Sequence, residues 1–227
     1  MFLYDLLSSV QWSGFYVNLF GIPFFISFFV IVMVALFAFG ARHYIAKQMG
    51  EYPDSNHMII GIGVALTIIL TICAHEGAHS AVGWILGHPT VGGGISWWGA
   101  YVSFGKSVNS FSPIDEIFIG FAGIFTNAVI AIIGLGLVWF MGESRFENAV
   151  QYVAIINWRL AKLNLIPILM LDGGKVVEGI LRVFLPANRV PTFMLGVTAL
   201  VIFIWSFTKK KGADEPDSAF QELIERV

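Results

Sequence analysis

The chain has 227 residues, of which 57% are hydrophobic, 15% aromatic and only 12% charged, where a soluble domain is about a quarter charged. So little charge cannot coat a water-facing surface, and so much apolar surface would not stay solvated as a disordered chain. The net charge of −2 gives no sign of nucleic-acid binding, and the lone Cys73 rules out a disulfide framework or a thiolate metal cluster. What remains is one multi-spanning helical membrane domain.

Met1–Gly21 lacks a basic n-region and a small-residue cleavage site, so it reads as an N-terminal segment and not as a signal peptide. A membrane-crossing helix needs roughly 20 mostly apolar residues. Ile22–Ala41 meets that with no charge at all. His43 and His57 flank the polar loop Arg42–Asn56 and are expected to be solvated. Ile59–Leu86 is the second span, with one charged residue, Glu76, and two histidines. Gly87–Phe111 is glycine-rich and strand-prone through Ile95, Tyr101, Val102 and Phe104. It suits either a membrane-embedded β-hairpin beside a site or an interfacial loop anchored by aromatics.

Pro113–Met141 is the third span. Ser112 is its cap, Pro113 suits the first helical position, and Asp115 and Glu116 favour the positive end of the helix dipole. Ala149–Leu171 is a fourth, carrying Arg159 and Lys162, which either line a wet substrate path or meet a carboxylate or an interface. Residues 173–191 are amphipathic and too short to span simply, so they read as an interfacial helix. Pro191–Thr208 is apolar and runs into Lys209-Lys210-Lys211. The acidic tail has room for a short helix at Ser218–Val227. The domain limits are therefore 1–21, an N-terminal segment; 22–208, the membrane domain; and 209–227, a polar tail.

The chemistry lies in His75-Glu76-Gly77-Ala78-His79. On a helix, positions i and i+4 share a face, so both imidazoles can grip one metal ion while Glu76 sits beside them to take a proton from water. Burying these ionisable groups in a membrane helix is costly, at least ~2.5–3.5 kcal/mol for one central charge, and metal binding offsets that cost. Catalytic zinc wants a third protein ligand. Asp172 closes the run from Asn164 through Pro167 to Leu171 and precedes Gly173-Gly174. Alone, Asp172 is better read as a turn residue; beside the two-histidine motif the ligand reading is preferred. Cys73, two positions before His75, points to another helix face and reads as packing. His88 reads as a loop residue near the end of the second span.

These motifs together resemble the site-2 protease family of intramembrane zinc metalloproteases, in its minimal form without PDZ or CBS domain. His75-Glu76-xx-His79 followed by Asn164-xx-Pro167-xxx-Leu171-Asp172-Gly173 carries the resemblance. Gly21-Ile22-Pro23, Trp98-Gly99-Ala100 and Ala122-Gly123-xxx-Asn127 add weaker matches, with Ile124 where the family has proline. The resemblance implies one zinc ion held by His75, His79 and Asp172, Glu76 as general base, and Asn164 holding substrate backbone or the developing oxyanion. It implies an all-α fold of five to six transmembrane helices with a small β-hairpin between the second and third. The substrate would be a transmembrane protein and the location the cell membrane of a prokaryote, with the zinc toward the cytosol. Segment length gives five spans. The positive-inside rule is better served by six, which bring the basic tail back inside. A non-proteolytic transporter or polypeptide-binding homologue is the rival reading.

Overall fold

The computed structural model describes residues 13–19, 21–96, 99–105, 111–186 and 188–208. The expected helix at Ser218–Val227, Trp98 and the basic tail lie outside them.

The chain starts with two strands, β1 (Gly14–Leu19) and β2 (Ile22–Ser27), paired antiparallel across a turn in which Asn18 Oδ1 accepts the Gly21 N–H at 2.7 Å. Two further strands, β3 (Thr90–Ser96) and β4 (Gly99–Phe104), form the hairpin expected from Gly87–Phe111. The two pairs join because β2 runs parallel to β3, with Phe24, Phe25 and Ile26 opposite Gly93, Gly94 and Ile95. The result is one four-stranded sheet in the order β1-β2-β3-β4.

Two sequence expectations need correction here. The fold is mostly helical but not all-α, and the first span does not begin at Ile22. Residues 22–27 are strand, and the helix α1 occupies Phe29–Gln48. An uncharged apolar run is compatible with either state. Pro23 has no N–H to give, and β2 has two partners, β1 just before it and β3 about seventy residues away, the second of which no local window can see.

The helix α2 spans Ser55–Ile85, 31 residues, or about 46 Å at 1.5 Å per residue, longer than a bilayer core of about 30 Å. Asp54 caps it by accepting the His57 N–H at 2.8 Å. The His57 ring is fully buried between Asp54 Oδ1 at 2.6 Å and Glu51 Oε2 at 3.1 Å, so it is a structural residue of the cap and not a solvated one. His43 is exposed, as expected.

The helix α3, Pro113–Phe140, opens as its sequence predicts, with Ser112 Oγ accepting the Asp115 N–H at 3.1 Å. The helix α4 runs from Arg145 to Leu165, six residues short of the expected Leu171. Pro167 lacks an N–H and clashes with a preceding turn, so the chain leaves the helix just before it. Two more helices follow, α5 (Asp172–Phe184), the expected amphipathic one, and α6 (Val190–Thr208).

Ala41 and Ile45 of α1, Val64 and Ile68 of α2, and Ala149 of α4 make a buried apolar cluster. Many large apolar residues point outward instead, among them Ile31, Leu36, Leu70 and Ile132, all more than 60% exposed. In water such a surface would drive aggregation; in lipid it is the matching solvent. By length and composition, α1, α2 and α3 can each cross a bilayer. The chain is an integral membrane protein.

Candidate metal centre

The site forms where α2, α3 and the start of α5 meet. His75 and His79 lie one turn apart on α2 and are buried. Asp172 is the first residue of α5 and is also buried. Its Oδ2 stands 2.9 Å from His75 Nε2 and 3.3 Å from His79 Nε2, and the two Nε2 atoms are 3.2 Å apart. Among the described residues this is the one group of three or more such donors that could hold a metal ion.

Two local features aim these side chains. His79 Nδ1–H donates to the Ile119 carbonyl of α3. That bond fixes the tautomer and leaves the Nε2 lone pair directed at the other two donors. Asp172 is aimed by the fold-back of the segment after Pro167. A Cβ on Gly173 would lie 2.4 Å from the Leu165 carbonyl oxygen, and one on Gly174 would lie 2.0 Å from that of Ile168. Only glycine lets the start of α5 pack this tightly on the end of α4.

Gly123 of α3 closes the site from another side. A Cβ there would meet His79 Nε2 at 2.4 Å and His75 Nε2 at 2.5 Å, so bare backbone packs on the two imidazoles.

The donor set fits a divalent ion. Three lone-pair atoms this close repel one another unless a proton or cation lies among them. Their separations of 2.9 to 3.3 Å are near the ~3.3 Å edge of a tetrahedron around an ion with bonds of about 2.0–2.1 Å, the zinc range for nitrogen and oxygen. Two neutral imidazoles and one carboxylate also match the borderline softness of zinc.

Glu76 sits next to this group, with Oε1 4.0 Å from His75 Nε2 and its side chain 13% exposed. The group opens into a cavity of about 710 Å³, lined also by the whole of β4, by Asn127 of α3 and by Asn164 of α4. Lys175 reaches into it, its Nζ 3.8 Å from the other oxygen of Asp172. The residues singled out in the sequence (His75, Glu76, His79, Asn164 and Asp172) thus all line one space.

Others stand apart. His88 Nε2 pairs with Asp115 Oδ2 at 3.0 Å and its ring stacks on Phe111 at 4.0 Å, away from the metal group. Arg159 is exposed, Lys162 half-buried, and neither is among the cavity's lining residues. Sequence reading missed the ion pair between half-buried Arg182 Nη1 and buried Glu116 Oε2, 2.5 Å apart, in which Arg182 Nη2 also donates to the Phe111 carbonyl at 2.8 Å. A basic residue on a polar helix face carries no local sign of such a partner.

The architecture matches a solved structure, the Site-2 Protease from Methanocaldococcus jannaschii, with a TM-score of 0.58 over 88% of this chain and 87% of that one, at 17% identity. The sequence model of Peptidase family M50 matches residues 141–205, a stretch that holds Asn164 and Asp172. The chain is thus similar in fold to a site-2 protease and, over residues 141–205, in sequence to Peptidase family M50. Curated proteins similar to this chain include "Putative zinc metalloprotease sll0528" of Synechocystis sp., 28% identical over 172 residues, and "Putative zinc metalloprotease Rip3" of Mycobacterium tuberculosis, 25% identical over 173 residues. These alignments cover 72% and 74% of this chain, and the chain spans 42% of the length of each relative.

Proposed function

We propose that this chain is an intramembrane zinc metalloprotease that hydrolyses a peptide bond within or near a transmembrane segment of another protein. The observation that carries the reading is the convergence of His75 Nε2, His79 Nε2 and Asp172 Oδ2 beside Glu76 at the wall of a cavity. His75, His79 and Asp172 hold one zinc ion. In that place zinc supplies Lewis acidity to a peptide carbonyl and lowers the pKa of water.

The chain's own residues do the rest. Glu76 takes a proton from the attacking water and returns it to the leaving amine, so the C–N bond breaks with the proton count balanced. The Asn164 carboxamide donates to the substrate backbone or to the developing oxyanion. A substrate helix hides its carbonyls in its own hydrogen bonds, so it must unwind to react. As the last strand of the sheet, β4 has an outer edge without a strand partner among the described residues, and all six of its residues line the cavity. The unwound segment adds to that edge as a further strand.

The proposal takes residues 22–208 as the protease domain and 209–227 as a polar tail. It sets the protein in a prokaryotic cell membrane with the metal toward the cytosol. His75 lies ten residues before the end of α2, about 15 Å along the helix, so the centre is nearer the C-terminal end of that helix than its N-terminal end. With α5 as a short sixth crossing, Lys209-Lys210-Lys211 returns to the cytosolic face, in keeping with the positive-inside rule. A transporter or binding-only homologue would leave Glu76 without a task.

The test uses a reconstituted membrane-spanning model substrate. The Glu76→Gln variant should retain one zinc per chain and lose cleavage by about 10²-fold or more. Chelation should silence the wild type and added zinc should restore it. A zinc-replete Glu76→Gln protein that cuts at the wild-type rate would overturn the assignment of the base.

A further inference from the structure

The proposed strand addition leaves half of the substrate's problem unsolved. An extended peptide presents N–H and C=O groups along both of its edges. Pairing with β4 satisfies one edge only. Inside a membrane, donors on the other edge need acceptors from the protein, because an unsatisfied backbone group costs several kcal/mol.

Asn127 offers such an acceptor. It is 1% exposed, it lines the same cavity as β4, and its Oδ1 is buried without a hydrogen-bond partner. Buried side-chain oxygens are nearly always paired, so one left open at the wall of a cavity points to a donor that arrives with a ligand. Its place in the fold agrees. Asn127 lies one helical turn after Gly123 on α3, on the face that packs against the two imidazoles. In β4, by contrast, the strand packs on α2, so the two elements form different walls of the space.

We infer that Asn127 is a substrate-binding residue whose carboxamide oxygen accepts a backbone N–H from the edge of the unwound substrate that β4 does not cover. This rests on the proteolytic reading above and extends its substrate-binding residues beyond Asn164.

The test is a binding cycle in the Glu76→Gln background, which needs no turnover. The zinc-loaded 227-residue chain in nanodiscs is titrated with a labelled transmembrane peptide, and with versions in which one amide near the cleavage position is replaced by an ester. Each ester removes a single N–H. Asn127→Leu should weaken binding of the all-amide peptide about tenfold while zinc content and thermal midpoint stay at the parent's values. One ester position should weaken binding to the parent by a similar factor and have no effect on Asn127→Leu. Asn127→Asp, which keeps the acceptor, should stay sensitive to that same ester.

Binding of the all-amide peptide within twofold of the parent by Asn127→Leu would overturn the inference. So would ester effects equal in the two backgrounds at every position. If Asn127→Leu loses zinc or fails to fold, Asn127→Asp decides: insensitivity to every ester that weakens the parent would sink the idea. A wild type that binds the peptide without cutting it would refute the proteolytic reading and leave this cycle able to judge Asn127.

Discussion

At the scale of single residues, what is missing matters as much as what is present. Gly123 gives His75 and His79 a wall of bare backbone, and one methyl group there would overlap both Nε2 atoms. Either the imidazoles or α3 would have to move, and a densely packed interior resists both. Gly123→Ala should therefore lower zinc retention at least about tenfold, since even a displacement costing ~1.4 kcal/mol has that effect. Competition with a metal-binding dye measures it. Zinc affinity unchanged by the methyl group would mean that α3 gives way freely. The spacing of His75, Glu76 and His79 already declared their role in the sequence, because i and i+4 share a helix face whatever surrounds them. The role of Gly123 was not legible there. A glycine inside an apolar helix has many uses, and only the arrival of α2 against it selects one.

At the scale of elements, the position of α5 decides whether Asp172 reaches the histidines. The helix is anchored at both ends. Its start is folded onto the end of α4 through Gly173 and Gly174, and near its far end Arg182 binds Glu116 of α3 and the Phe111 carbonyl. Glu116 is only 2% exposed. Removing its partner strands a buried carboxylate, so Arg182→Met should destabilise the protein by about 3–5 kcal/mol. Adding Glu116→Gln should recover part of that loss, because the stranded group is then uncharged. Thermal unfolding in nanodiscs reads both, and a double variant no more stable than Arg182→Met would show that the pair is not the cause. The amphipathic pattern revealed α5 in the sequence and Pro167 revealed the break before it. The limits of α1 could not be read in the same way, since Ile22–Ser27 is as apolar as the helix that follows and becomes a strand through pairing with β1 on one side and β3 on the other.

For the whole molecule, the proposed addition of an extended segment to β4 places the cost of unwinding on the substrate. Glycine costs about 1 kcal/mol more than alanine within a helix, and proline about 3 kcal/mol more. A model substrate with such a residue within one turn of the cleavage position should be cut several-fold faster than its alanine parent, and one with the residue three turns away should not. Equal rates for both would mean that unwinding does not limit the reaction. By itself the amino-acid sequence determined the membrane setting, the helices with clear caps and breaks, and the chemical kinds of group at the site, because these depend on composition, periodicity and spacing along one element. Tertiary structure alone decided that β1 and β2 join the hairpin in one sheet, that His57 is a buried part of a helix cap, and that Asn127 opens onto the cavity with its oxygen unpaired. Each of those depends on which distant surfaces meet, and contact between surfaces far apart in the chain leaves no mark in any short stretch of it.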